Sequence, residues 1–145
     1  MDPVVAHLPC TGAPDPFTWS WAPSVIPAGG AGEVTLWLTV PEGGVVYTDS
    51  LRVSPVRTGG LSVGSPVVPA GEVRRDEQGV VVDGRHVARG LVGVVVPVRA
   101  GADVDGLVSM TFALQHEGCL NGRCWPRSTG WIDVFVDVVP VFDDR

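Results

Sequence analysis

In Glu33-Val34-Thr35-Leu36-Trp37-Leu38-Thr39-Val40, every second residue is aliphatic, so in an extended chain Val34, Leu36, Leu38 and Val40 fall on one face. A second run near the other end, Trp131-Ile132-Asp133-Val134-Phe135-Val136-Asp137-Val138, repeats the pattern, with Ile132, Val134, Val136 and Val138 facing in and Asp133 and Asp137 out. No long stretch reads with helical period, and 19 Gly and 13 Pro divide the chain into short segments. These features predict many short strands packed in two layers.

Further strands are expected at Thr18-Trp19-Ser20-Trp21, whose two Trp share a face, and at Val45-Val46-Tyr47, which restarts an extended run into Leu51-Arg52-Val53. Residues 91–98 are almost continuously apolar, as in a strand central to its sheet, and residues 107–116 form another strand. Weaker strands are read around Leu61-Ser62-Val63 and Val80-Val81-Val82, and the region 55–90 is the expected place for mobile loops. Without crossover helices, the expected architecture is all-β, an antiparallel β-sandwich of immunoglobulin-like type, with a closed barrel as the alternative. Residues 1–16 hold four Pro and read as a flexible arm, leaving residues 17–145 as one domain.

A formal charge of −6 argues against nucleic acid or an anionic membrane as partner, because both select clustered basic residues. Arg74-Arg75 is the only adjacent basic pair, and Asp76-Glu77 follows it. No apolar run reaches the roughly 20 residues of a membrane span, so the domain itself is expected to make no membrane contact, though a longer protein could carry a membrane-embedded portion. The first 14 residues lack the pattern of an export signal, so either the protein is cytosolic or its signal lies outside this sequence.

The stretch His116-Glu117-Gly118-Cys119-Leu120-Asn121-Gly122-Arg123-Cys124-Trp125-Pro126 carries the chemistry. Asn121-Gly122 tolerates positive φ, so the chain can turn back and bring the two sulfurs together. So small a ring constrains the unfolded chain by only about 2 kcal/mol, which makes stabilisation a weak reason for the spacing. Redox exchange, a structural clasp and metal binding are the three readings it allows. A zinc site would draw on His116, Cys119 and Cys124, with Cys10 or His86 as fourth ligand, although structural zinc sites usually show two close pairs. For exchange, Arg123 beside Cys124 would favour a thiolate, His116 or Glu117 would move protons near Cys119, and Trp125 would either shield the sulfur or pack. On a strand, residues 116 and 117 point to opposite faces, so at most one of them faces the sulfurs. Cys10 is read as an incidental thiol. No hydrolase or nucleotide-binding motif is present.

Gly118-Cys119 through Cys124-Trp125-Pro126 resembles the signature of a known family, the amino-terminal or disulfide bond corrector domain of the bacterial thiol:disulfide interchange protein DsbD. Val46-Tyr47-Thr48-Asp49-Ser50-Leu51-Arg52-Val53 and the strand order leading into the cysteines are similar as well, over roughly residues 17–140. Arg127 stands where the family has a second Pro, and Val81-Val82-Asp83 stands nearest to the family's aromatic cap over the disulfide. The resemblance implies an immunoglobulin-like redox domain without cofactor, working in the periplasm or another extracytoplasmic space. It would pass electrons from a thioredoxin-like partner domain to oxidised substrate proteins, including disulfide isomerases and cytochrome c maturation factors. It also implies that Cys124 forms the mixed disulfide, that Cys119 resolves it, and that Asp83 is a candidate acid. The rival from another class is a non-enzymatic immunoglobulin-like binding module with a loop clasp.

Overall fold

The computed structural model describes residues 14–141. Eleven strands follow one another: β1 (Thr18–Trp21), β2 (Ser24–Pro27), β3 (Ala31–Thr39), β4 (Gly44–Tyr47), β5 (Arg52–Arg57), β6 (Ser62–Val63), β7 (Glu72–Arg75), β8 (Val81–Ala88), β9 (Leu91–Arg99), β10 (Gly106–Leu120) and β11 (Arg123–Val139). They form two sheets, one in the order β1-β3-β9-β6, the other in the order β2-β11-β10-β4-β8-β7 with β5 also paired to β10. All pairs are antiparallel except β2 with β11. The expected β-sandwich is the architecture found.

The core lies between the sheets and is built by the period-two residues. Val34, Leu36 and Leu38 of β3 and Val92, Val94, Val96 and Val98 of β9 meet Met110, Phe112 and Leu114 of β10 and Ile132, Val134, Val136 and Val138 of β11, all buried. Strand β9 is central, between β3 and β6, and only one of its faces is fully buried. Trp19 is buried, and Trp21, on the same face, is half-buried against the core.

Three local features depart from the sequence reading. The expected continuous run through 45–53 is interrupted by a single 3-10 turn, Thr48–Ser50, so that β4 and β5 pair with successive stretches of the same edge of β10. The region 55–90, expected to be loops with weak strands around 61–63 and 80–82, has those strands as β6 and the start of β8, and adds β7, which pairs with β8 in a hairpin that its many charged residues hide in the sequence. Asp15, near the end of the segment read as a flexible arm, is fixed to the domain. It accepts hydrogen bonds from the backbone N–H of Phe17 at 2.8 Å and from Ser128 Oγ at 2.6 Å, and pairs with His116 Nε2 at 2.8 Å. Cys10 lies outside the described residues.

Candidate functional site

The long β10–β11 hairpin closes with Asn121 and Gly122, both at positive φ (52° and 78°), the signature of the tight two-residue turn that suits the twist of paired strands. That turn sets Leu120 opposite Arg123 and Cys119 directly opposite Cys124, with Cα atoms 4.0 Å apart and the sulfurs bonded. Farther along, the register shifts. His116 faces Ser128 and Gly118 faces Trp125, so Glu117 on β10 lies opposite both Pro126 and Arg127 on β11. Pro126 therefore falls in a bulge, where a residue without an N–H costs no ladder bond. The Glu117 N–H finds a side chain instead, donating to Ser50 Oγ at 2.9 Å, while Ser50 Oγ donates to the Tyr47 carbonyl at 2.6 Å. The 3-10 turn thus ties Tyr47 to the cysteine hairpin.

Alternation along the hairpin separates two faces. Gly118 and Trp125 lie on the inner one, against Phe17. A Cβ on Gly118 would come within 2.6 Å of both the Phe17 ring and the Val45 carbonyl, so this position admits only glycine without rearrangement. Phe17 packs edge-on against Trp125 and His116, at centroid distances of 6.1 and 5.8 Å. The sulfurs point the other way, out of the inter-sheet core. Cys119 joins a small separate cluster with Val45, Tyr47 and Val87 and is 2% exposed, whereas Cys124 is exposed.

Above Cys119 sits a polar network carried by the β7–β8 hairpin. Arg74 Nη1 lies 3.6 Å from Cys119 Sγ and donates to the Tyr47 hydroxyl. That hydroxyl in turn donates to Asp83 Oδ2 at 2.7 Å and stands 3.9 Å from Cys119 Sγ. Arg85 lies over the Tyr47 ring, 3.7 Å from its centroid, and pairs with Glu117 and Asp49 at 2.8 Å each. Burial, reinforced by the Asp83 carboxylate, pushes the Tyr47 phenol above its ordinary range despite Arg74 beside it. The hydrogen bond from Tyr47 holds the Asp83 carboxyl below the usual range, helped by the Arg85 N–H and the charge of Arg74. Asp49 is held low mainly by Arg85.

These placements revise several roles expected from sequence adjacency. Asp83 does not touch the sulfurs but stands behind Tyr47, accepting from its hydroxyl, and its lowered carboxyl makes it an acceptor near neutral pH where a proton donor was expected. Arg123 does not serve the sulfurs through any contact found: its guanidinium lies over the Trp125 ring at 5.3 Å. Trp125 is on the face opposite the sulfurs and packs on Phe17, so it does not shield them. His116 is buried on that inner face as well. Its Nδ1 accepts from Trp19 Nε1, at 3.0 Å, and since an indole only donates, the ring proton is on Nε2, directed at Asp15. With both nitrogens engaged there, His116 neither ligates a metal with the cysteines nor reaches them with a proton. Glu117 is the one of the pair on the sulfur side, and Arg85 holds it. His86 is an exposed residue of β8, and among the described residues no group of three His, Cys, Asp or Glu is arranged to hold a metal ion.

Tyr47, Arg74, Arg85 and Asp49 belong to the site although sequence adjacency did not point to them. Tyr47 stood in a stretch similar to the DsbD domain, which was a usable signal. Arg74 was visible only as half of a basic pair, because a hairpin 45 residues upstream in sequence brings it to the sulfur.

No family model matches the chain, and no curated protein matches it in sequence. Among solved structures, the crystal structure of the Neisseria meningitidis DsbD N-terminal domain in the reduced form superposes with a TM-score of 0.53 at 19% identity, over 92% of this chain and 86% of that one. A family 123 glycoside hydrolase from Clostridium perfringens superposes with a TM-score of 0.36 at 7% identity, over 83% of this chain and 23% of that one. The fold is thus similar to that of the DsbD N-terminal domain.

Proposed function

We propose that the chain is a thiol:disulfide interchange domain in which Cys119 and Cys124 alternate between disulfide and dithiol. The observation that carries this reading is the asymmetry of the pair: one sulfur is sealed beneath Tyr47 and Arg74, and its bonded neighbour belongs to an exposed residue beside a tight turn. A clasp has no need of such an asymmetry, whereas exchange requires one reachable sulfur and one leaving group in a polar setting.

In the reducing direction, a partner thiolate attacks Cys124 Sγ. A new bond forms between the partner sulfur and Cys124, the Cys119–Cys124 bond breaks, and its electron pair leaves on Cys119. The partner's second thiol gives up its proton, which balances the one taken up by the Cys119 thiolate, and attacks its own sulfur in the mixed disulfide, so that Cys124 departs as a thiolate and takes up a proton from solvent. The partner has become a disulfide and this chain a dithiol, a transfer of two electrons. Run backwards with an oxidised protein, the same steps discharge the pair. Thioredoxin-like domains suit the first exchange and oxidised extracytoplasmic proteins the second, in the periplasm or an equivalent space.

Single-cysteine variants test the assignment. Cys119→Ser, which leaves Cys124 free, is expected to trap a thioredoxin-like partner or a small disulfide as a stable mixed disulfide, and Cys124→Ser to trap at least tenfold less. Equal trapping by both would remove the asymmetry from the mechanism. In graded redox buffers, thiol labelling and mass spectrometry should find the pair opening above about −300 mV. A bond that stays closed well below that potential is the clasp of a binding module.

A further inference from the structure

Resting on the exchange reading above, we propose that Arg74 is a catalytic residue of the reaction: its guanidinium holds the negative charge that Cys119 Sγ acquires when the disulfide is broken from the Cys124 side. When an attacking thiolate bonds to Cys124, the electron pair of the broken bond has to come to rest on Cys119. Cys119 is a buried residue, 2% exposed, so water has little access to solvate that charge. A buried thiolate without a compensating charge is strongly disfavoured, and a cation within a few ångströms reverses the preference.

Every charged group around the sulfur has a partner that can be read from the geometry. Asp49, in the 3-10 turn, and Glu117, on β10, are both paired to Arg85 of β8, at 2.8 Å each. Asp83, also of β8, accepts from the Tyr47 hydroxyl at 2.7 Å and lies 3.9 Å from Arg74 Nη1. Arg74, from β7, reaches past that carboxylate to place the same nitrogen 3.6 Å from Cys119 Sγ. Its side chain is only 22% exposed, which limits the screening of its charge by solvent. Tyr47 of β4 contributes a hydroxyl already committed to Asp83, so the cationic contact to the sulfur comes from Arg74. Arg123, the arginine adjacent to Cys124 in sequence, is engaged with Trp125 instead.

The experiment reads the Cys119 thiol directly. In a Cys10→Ser, Cys124→Ser background Cys119 is the sole thiol, and its titration is followed by the NMR shift of labelled cysteine Cβ. Arg74→Gln is expected to raise the midpoint by about one pH unit, and Arg74→Lys, which keeps the charge, to restore at least half of that shift. In the protein with all cysteines, reduction by dithiothreitol at fixed pH should slow roughly threefold or more in Arg74→Gln, because a less stable leaving thiolate departs more slowly. An unchanged Cys119 midpoint in both Arg74 variants would overturn the assignment. A pair that dithiothreitol and partner thiols never open would instead overturn the exchange reading, and the midpoint would still judge the contact between Arg74 and Cys119.

Discussion

The two faces of the cysteine hairpin are made by alternate residues of the same two strands, yet they are built by opposite rules. On the inner face, Gly118, Trp125 and His116 meet Phe17 and Trp19 in a closely packed layer, in which Trp19 Nε1 pairs with His116 Nδ1 and His116 Nε2 with Asp15, itself held by Ser128. On the outer face, Cys119 lies under a network of Tyr47, Arg74, Asp83, Arg85 and Glu117 that remains partly open to solvent. The first face resists displacement because any movement leaves voids or unpaired buried groups. The second consists of charge pairs near the surface, each worth little to stability. Packed core and charged network are thus separated by one residue of strand period.

The sharpest way to break that separation is to empty the inner face. Phe17 is fully buried, and Phe17→Ala is expected to cost about 3–5 kcal/mol in denaturant unfolding. The Cys119 thiol midpoint in whatever fraction stays folded should be unmoved.

Asp15→Asn tests the inner face more gently. It removes the charge that accepts from His116, Ser128 and the Phe17 N–H, at an expected cost of about 2 kcal/mol near neutral pH. Burial by itself would raise the Asp15 carboxyl, but these hydrogen bonds outweigh it and hold the group below its ordinary 3.8. A carboxyl lowered in the folded state stabilises above its unfolded value, and the contribution fades as the pH falls through the lower folded value. The stability curves of the wild-type protein and Asp15→Asn should therefore be separated above pH 3.8 and converge below it; parallel curves would show that the charge is not what anchors the segment.

Gly122→Ala acts on the turn that both faces share. A side chain at φ 78° is strained, and a loss of about 1 kcal/mol is expected, with the disulfide still formed because Cys119 and Cys124 still face each other. The smallest stability effect belongs to the outer face. Arg85→Gln should cost less than about 1 kcal/mol, diminishing with salt, while thiol labelling of the pair changes in rate because Glu117, Asp49 and the Tyr47 ring lose their common partner. A drop as large as that of Phe17→Ala would erase the distinction between the faces.

Legibility followed the range of the interactions. Val34, Leu36 and Leu38, like Ile132, Val134 and Val136, could be placed on the core face because strand period is a local property, and the burial of one face is enough to specify it. The turn at Asn121-Gly122 and the juxtaposition of Cys119 with Cys124 were equally local, set by which residues accept positive φ. Of the β7–β8 hairpin only the start of β8 at Val81-Val82 was legible, since the charged residues of both strands break the apolar pattern, and the 3-10 turn at Thr48–Ser50 was not legible, since it depends on a hydrogen bond from Glu117 across 67 positions.

Sequence alone therefore pointed to a β-sandwich and to two thiols brought together by a turn at Asn121-Gly122, while the pairing of strands β10 and β11 right up to that turn emerged only in the structure. Tertiary structure decided which side chains meet the sulfurs: Arg74 and Tyr47, with Asp83 behind them, and not the neighbouring Arg123, His116 or Trp125. The physical reason is that neighbours in a strand point to opposite faces, so adjacency to a cysteine separates side chains from its sulfur, and the groups that reach it come from other strands.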